Sequence, residues 1–69
     1  MTFGEVTLYY LDKLDVSQSE LARRVGTNRS TINCIIKNER RSPTLETALA
    51  IANALGVPLS EMVDMMRGE

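Results

Sequence analysis

The sequence predicts an all-α fold of five short helices. Three observations carry this. Apolar residues recur at three- and four-residue spacing along most of the chain, no stretch alternates apolar and polar as a half-buried strand would, and start and stop residues bracket each periodic run. The 69 residues are 43% hydrophobic and 25% charged, the balance of a globular chain rather than a disordered one. One domain over residues 1–69 is expected. A chain this short buries only about 60% of its unfolded surface, so its stability should be modest.

Helix one is expected over Phe3–Leu14. Phe3, Val6, Tyr10 and Leu14 form its stripe, with Leu11 on the adjoining line. Thr2 is a candidate N-cap. Leu8 and Tyr9 lie off the stripe. Extra core cover is the plainer explanation for them, and contact with a partner subunit is the alternative. Asp15 follows where a left-handed residue closes a helix, a conformation that Asp tolerates.

Helix two is expected at about Ser17–Val25. Ser17 and Glu20 read as an S-x-x-E capping box, and Leu21, Ala22 and Val25 face inward. Gly26 supplies the positive φ of a sharp turn. Helix three, about Arg29–Lys37, starts from an Asn28 cap, with Ile32, Ile35 and Ile36 as its buried side. A turn of about 100° per residue puts Ser30, Asn33, Cys34 and Lys37 opposite, with Arg29 at the N-terminal end. Three β-branched isoleucines lower the helix propensity of this segment, so packing must hold it. A short braced helix, a tight turn and a second helix with a polar outer face have the form of a helix-turn-helix. That device sets its second helix in the major groove of DNA.

Asn38 is expected to end helix three, and residues 39–43 to form a loop. Thr44 caps helix four, whose stripe reads Leu45, Ala48, Leu49, Ile51, Ala52 and Leu55, and Gly56 stops it. Pro58 and Glu61 mark a last helix, about Leu59–Met66, with Leu59, Met62, Val63 and Met66 on one side.

Charge is segregated. The chain carries a net −1. Residues 23–41 hold Arg23, Arg24, Arg29, Lys37, Arg40 and Arg41 against Glu39, a net of +5. Residues 1–22 and 42–69 each hold one base against four acids, a net of −3 apiece. A basic middle between acidic ends suits a protein with one anion-binding face; a solvated, salt-bridged surface is the plain alternative. Gln18 sits in the first turn of helix two, beside unpaired N–H groups that favour an anion such as a phosphate.

Other chemistries find little support. The single Cys34 excludes an internal disulfide framework, and with no histidine a metal site is not expected. No nucleophile–base pair stands out, so no catalytic residue, enzyme activity or cofactor is expected. Cys34 reads as a small helix residue rather than a redox switch. The methionines of helix five read as core filler. Met1–Leu14 lacks a secretory pattern, and no apolar run approaches the ~20 residues of a membrane span. A soluble, cytoplasmic chain with no membrane partner is expected.

From about Val16 to Val63 the chain resembles the phage-repressor/Cro type of helix-turn-helix regulator, the XRE-like group. The likeness rests on Gln18, Leu21-Ala22, Val25-Gly26, Ile32 and Ile35. Beyond these come Pro43, the L-x-x-A-L-x-I-A-x-A-L-G-V run over residues 45–57, and Leu59-Ser-Glu-Met. It implies a five-helix repressor-like domain and a sequence-specific DNA-binding transcriptional regulator, expected to be a repressor. The partners implied are double-stranded DNA with a palindromic operator and a second copy of the chain, docked through helix five with helix one as a candidate addition. Base contacts would fall to Arg29, Ser30, Asn33 and Cys34, and phosphate contacts to Gln18, Lys37, Arg40 and Arg41. An antitoxin or protein-interaction module on the same fold is the alternative.

The chain departs from the family pattern in three places. Asn38 stands where the family often has Gly. Leu11 and Ile36 stand where it often has a partly buried Arg–Glu pair, so an apolar contact is expected to replace the pair. Cys34 stands where a larger polar residue is usual.

Overall fold

The computed structural model describes residues 1–37 and 44–68, and among these it shows five helices: α1 (Phe3–Leu14), α2 (Gln18–Val25), α3 (Arg29–Lys37), α4 (Leu45–Leu55) and α5 (Leu59–Met66). The predicted bounds hold except that helix two starts one residue later, with Ser17 as its cap rather than its first residue. The predicted Asn38 stop and the 39–43 loop lie outside the described residues.

Local chemistry explains most helix ends. Thr2 and Glu5 make a full capping box at α1: the Glu5 N–H donates to Thr2 Oγ1 at 3.1 Å and the Thr2 N–H donates to Glu5 Oε1 at 2.8 Å. Asp15 ends the helix in the left-handed region at φ 56°. The box predicted at Ser17 is only half formed. The Glu20 N–H donates to Ser17 Oγ at 3.0 Å, but the Glu20 carboxylate turns away to Arg23 and Arg24. A charged guanidinium three or four residues ahead outcompetes a backbone N–H behind. Thr44 caps α4 by accepting from the Thr47 N–H, and α5 starts at Pro58 without a side-chain cap.

One core joins all five helices. Val6, Leu21, Ile32, Ile51 and Met62 are essentially sealed from solvent, and Phe3, Tyr10, Leu11, Ala22, Ile36, Ala48, Ala52 and Leu55 complete the cluster. Leu11 and Ile36 are both buried in it, so apolar residues do occupy the two positions where the family's ion pair is expected. Val25, Ile35, Leu59, Met65 and Met66 pack on its margin.

The apolar stripes are narrower than their spacing predicts. Leu14 is 43%, Leu45 74% and Leu49 46% exposed, although each continues a helical stripe. The neighbouring helices do not extend over those positions. The off-stripe Leu8 and Tyr9 are exposed as well, with the Tyr9 ring set edge-on to Tyr10 at 5.2 Å. Instead of Leu14, α1 buries Gly4 and Thr7, which were not expected inside. The Thr7 hydroxyl is satisfied within its own helix, donating to the Phe3 carbonyl at 2.9 Å.

Candidate nucleic-acid interface

The helix pair is held by its turn and by the core beneath it. Gly26 takes φ 88°, a region open to glycine at little cost. Its N–H and that of Thr27 both donate to the Ala22 carbonyl at 2.9 Å, which tightens the exit from α2. Asn28 then caps α3: its Oδ1 accepts from the Thr31 N–H at 2.9 Å and from the Thr31 hydroxyl at 3.1 Å. The Thr31 hydroxyl bond was not foreseen, though the i, i+3 spacing from a cap residue signals it. Ile32 and Ile36 anchor α3 to the core from below.

The opposite side of α3 faces solvent. Arg29, Ser30, Cys34 and Lys37 are exposed and Asn33 is half-buried. Arg29, Ser30, Asn33 and Lys37 line one shallow concavity. Cys34 is exposed as a free thiol beside this set but does not line it. Such a surface offers a guanidinium and an amide, which fork onto guanine and adenine edges, with an ammonium for the phosphate chain.

Gln18 lies elsewhere. It is half-buried at the first position of α2 and lines a separate groove with Leu8, Leu11, Asp12, Asp15, Val16 and Ser17. Its Oε1 is buried with no hydrogen-bond partner among the described residues. A carbonyl oxygen offers a phosphate nothing, so any contact from Gln18 must come from its Nε2 donor. Arg40 and Arg41 lie outside the described residues.

The positive charge of α2 is partly spent inside the molecule. Arg23 forks onto Glu20 through Nε at 2.9 Å and Nη2 at 2.6 Å. Arg24 Nε donates to the same carboxylate at 3.3 Å. The Arg23 hydrogen bond, ahead of the Arg24 contact, holds the Glu20 carboxyl below the usual range, and Glu20 in turn raises Arg23. The side-chain cations left without an ion pair among the described residues are Lys13 on α1, Arg67 after α5, and Arg29 and Lys37, the last two together on α3. Among the described residues no group of His, Cys, Asp or Glu has metal-site geometry, and no single helix is long and apolar enough to cross a membrane.

Comparison with known proteins agrees with this geometry. The sequence profile of the helix-turn-helix family matches residues 8–62. The fold is similar to the crystal structure of the restriction-modification controller protein C.AhdI from Aeromonas hydrophila. The TM-score is 0.76 and the identity 27%, over 87% of this chain and 86% of that one. No curated protein sequence gives a match. With the profile spanning most of its length and the supported, outward-facing α3 in place, the chain belongs to the XRE-like helix-turn-helix family of sequence-specific DNA-binding transcriptional regulators.

Proposed function

We propose that the chain is a single DNA-binding domain that acts as a homodimeric repressor in the cytoplasm, on a palindromic operator. α3 enters the major groove. Arg29, Ser30, Asn33 and Cys34 read base edges, and Gln18, Lys37, Arg40 and Arg41 fix the register on phosphates. The observation that carries this is the concavity that gathers Arg29, Ser30, Asn33 and Lys37 on a helix whose other face is locked in the core.

Size supports dimerisation. One chain brings one such helix and measures 29 Å in its longest direction, whereas half-sites of this motif repeat at about 34 Å. One module also buries too little DNA for strong discrimination, about 600–1,000 Å². α5 is the proposed seam, since Val63, Met65 and Met66 are only partly covered by the chain's own core. Leu8 and Tyr9 of α1 are exposed as a second contact. Similarity to a restriction-modification controller supports a role in setting the expression of a gene.

Selection of bound duplexes from random DNA tests the reading. Recovery of a two-fold symmetric consensus supports it, and recovery of unenriched sequence refutes base reading. Light scattering that finds only monomers, with and without the selected duplex, refutes the dimer. Exposed Leu45 and Leu49 favour a second reading, a protein-interaction or antitoxin module on this fold. A shift of duplex DNA that weakens steeply with salt separates the two.

A further inference from the structure

The first turn of α1 lies directly against the last turn of α3, backbone to backbone. Gly4 is buried there. A Cβ at position 4 would fall on the carbonyl oxygen of Ile36 and within 2.8 Å of its carbonyl carbon and its Cα. All three are backbone atoms, so no side-chain rotation relieves the overlap; one helix must move. The contact also joins the positive end of α1 to the negative end of α3, an arrangement that favours approach. Thr7 sits one turn further on, sealed from solvent and hydrogen-bonded within α1, and Leu11 continues the same face. Glycine is a poor helix residue, and the second position of α1 needs no positive φ, so close approach is what calls for it.

Ile36 is the penultimate residue of the helix that carries Arg29, Ser30 and Asn33. We propose that Gly4 is a positioning residue for DNA recognition: its missing side chain sets the angle of α3 and so aims the base-reading residues. This rests on the reading above that α3 enters the major groove. α3 is about 13 Å long at ~1.5 Å per residue. A tilt of about 10° at its C-terminal end shifts Arg29 by about 2 Å, while polar constellations tolerate only about 0.5 Å.

The full chain, Gly4→Ala, Arg29→Ala and Thr44→Ala are titrated against the selected duplex and a scrambled one, at a temperature where circular dichroism shows each folded. Trimethylamine N-oxide is added to all if Gly4→Ala needs it. Thr44→Ala, a lost cap on α4, controls for lowered stability. Gly4→Ala should lose at least tenfold on the selected duplex and under threefold on the scrambled one, while Thr44→Ala keeps the parent ratio. A parent-like ratio in Gly4→Ala, with Arg29→Ala lowering it, overturns the positioning role and leaves the groove reading intact. If the parent itself prefers neither duplex, the groove reading fails and takes the proposal with it. In the parent chain, a nuclear Overhauser contact between the Gly4 and Ile36 α-protons is required, whatever the variants do; its absence overturns the proposal.

Discussion

Arg24 ties the helix-turn-helix to the end of α4: its Nη1 donates to the carbonyl oxygen of Ala54 at 3.3 Å. Ala54 lies in the last turn of α4, where carbonyls lack intrahelical partners and the helix end is negative. The same guanidinium holds Glu20. Arg24 is thus a strap between α2 and α4 rather than a free cation for DNA. Arg24→Ala should leave the salt slope of DNA binding unchanged and lower the melting temperature by no more than about 5 °C, since exposed pairs contribute little. A slope reduced as far as by Lys37→Ala would place Arg24 on phosphate instead.

Acid should loosen the fold through two capping and ion-paired carboxylates. The Glu5 carboxyl is held below its ordinary value of 4.5 by the capping hydrogen bonds from Thr2, backbone first. Glu20 is held below the same value chiefly by its hydrogen bond from Arg23. A carboxyl lowered in the folded state contributes stability above its unfolded pKa, and that stability is lost as pH falls through the folded one. Thermal melts should therefore hold level at neutral pH and fall below about pH 4.5. Glu5→Gln and Glu20→Gln should each flatten that fall.

Thr2→Ala should cost about 1 kcal/mol, the usual value of a lost N-cap. Denaturant titration reads it as a lower midpoint with an unchanged slope. The opposite sign is expected at Asp15, the one non-glycine residue with positive φ among those described. Asp15→Gly should raise stability by about 0.5–1 kcal/mol by relieving the left-handed conformation.

Leu11→Arg alone should destabilise by about 3–5 kcal/mol, because it buries an unpaired charge in the core cluster. Adding Ile36→Glu should recover part of that loss by restoring the pair expected in the family. A double-mutant cycle with no coupling between the two positions would show that they do not meet.

Arg29→Ala and Arg41→Ala should separate specificity from affinity. The first should relax one base position by about 1–3 kcal/mol. The second should weaken all duplexes alike and reduce the salt slope by about 0.9. Equal base profiles for both variants on a degenerate site library would refute the assignment.

What was legible in the sequence was local. Thr2, Ser17, Asn28 and Thr44 each cap as their spacing suggests, and Gly26 and Asp15 take the left-handed turns expected of them. The outward set on α3 followed from helix geometry once Ile32 was placed inside. What failed depended on neighbours. Periodicity says which residues share a face, not whether another helix covers it, and so it predicts burial for Leu14, Leu45 and Leu49, which are exposed. Gly4 carries no signal in the sequence, because close approach is a property of two helices and local spacing describes only one. The half-formed box at Ser17 was recoverable, since Arg23 and Arg24 stand at the two spacings that compete for Glu20.

Cys34 is the chain's one sulfhydryl, and it stands exposed on the outward side of α3. The unaltered protein thereby carries its own reactive reporter, on the surface where an occupant would shield it from a small alkylating reagent. Because a bulky label there would itself fill the face that α3 presents, protection of the unlabelled thiol from alkylation is the readout of occupancy, and it needs no engineered residue.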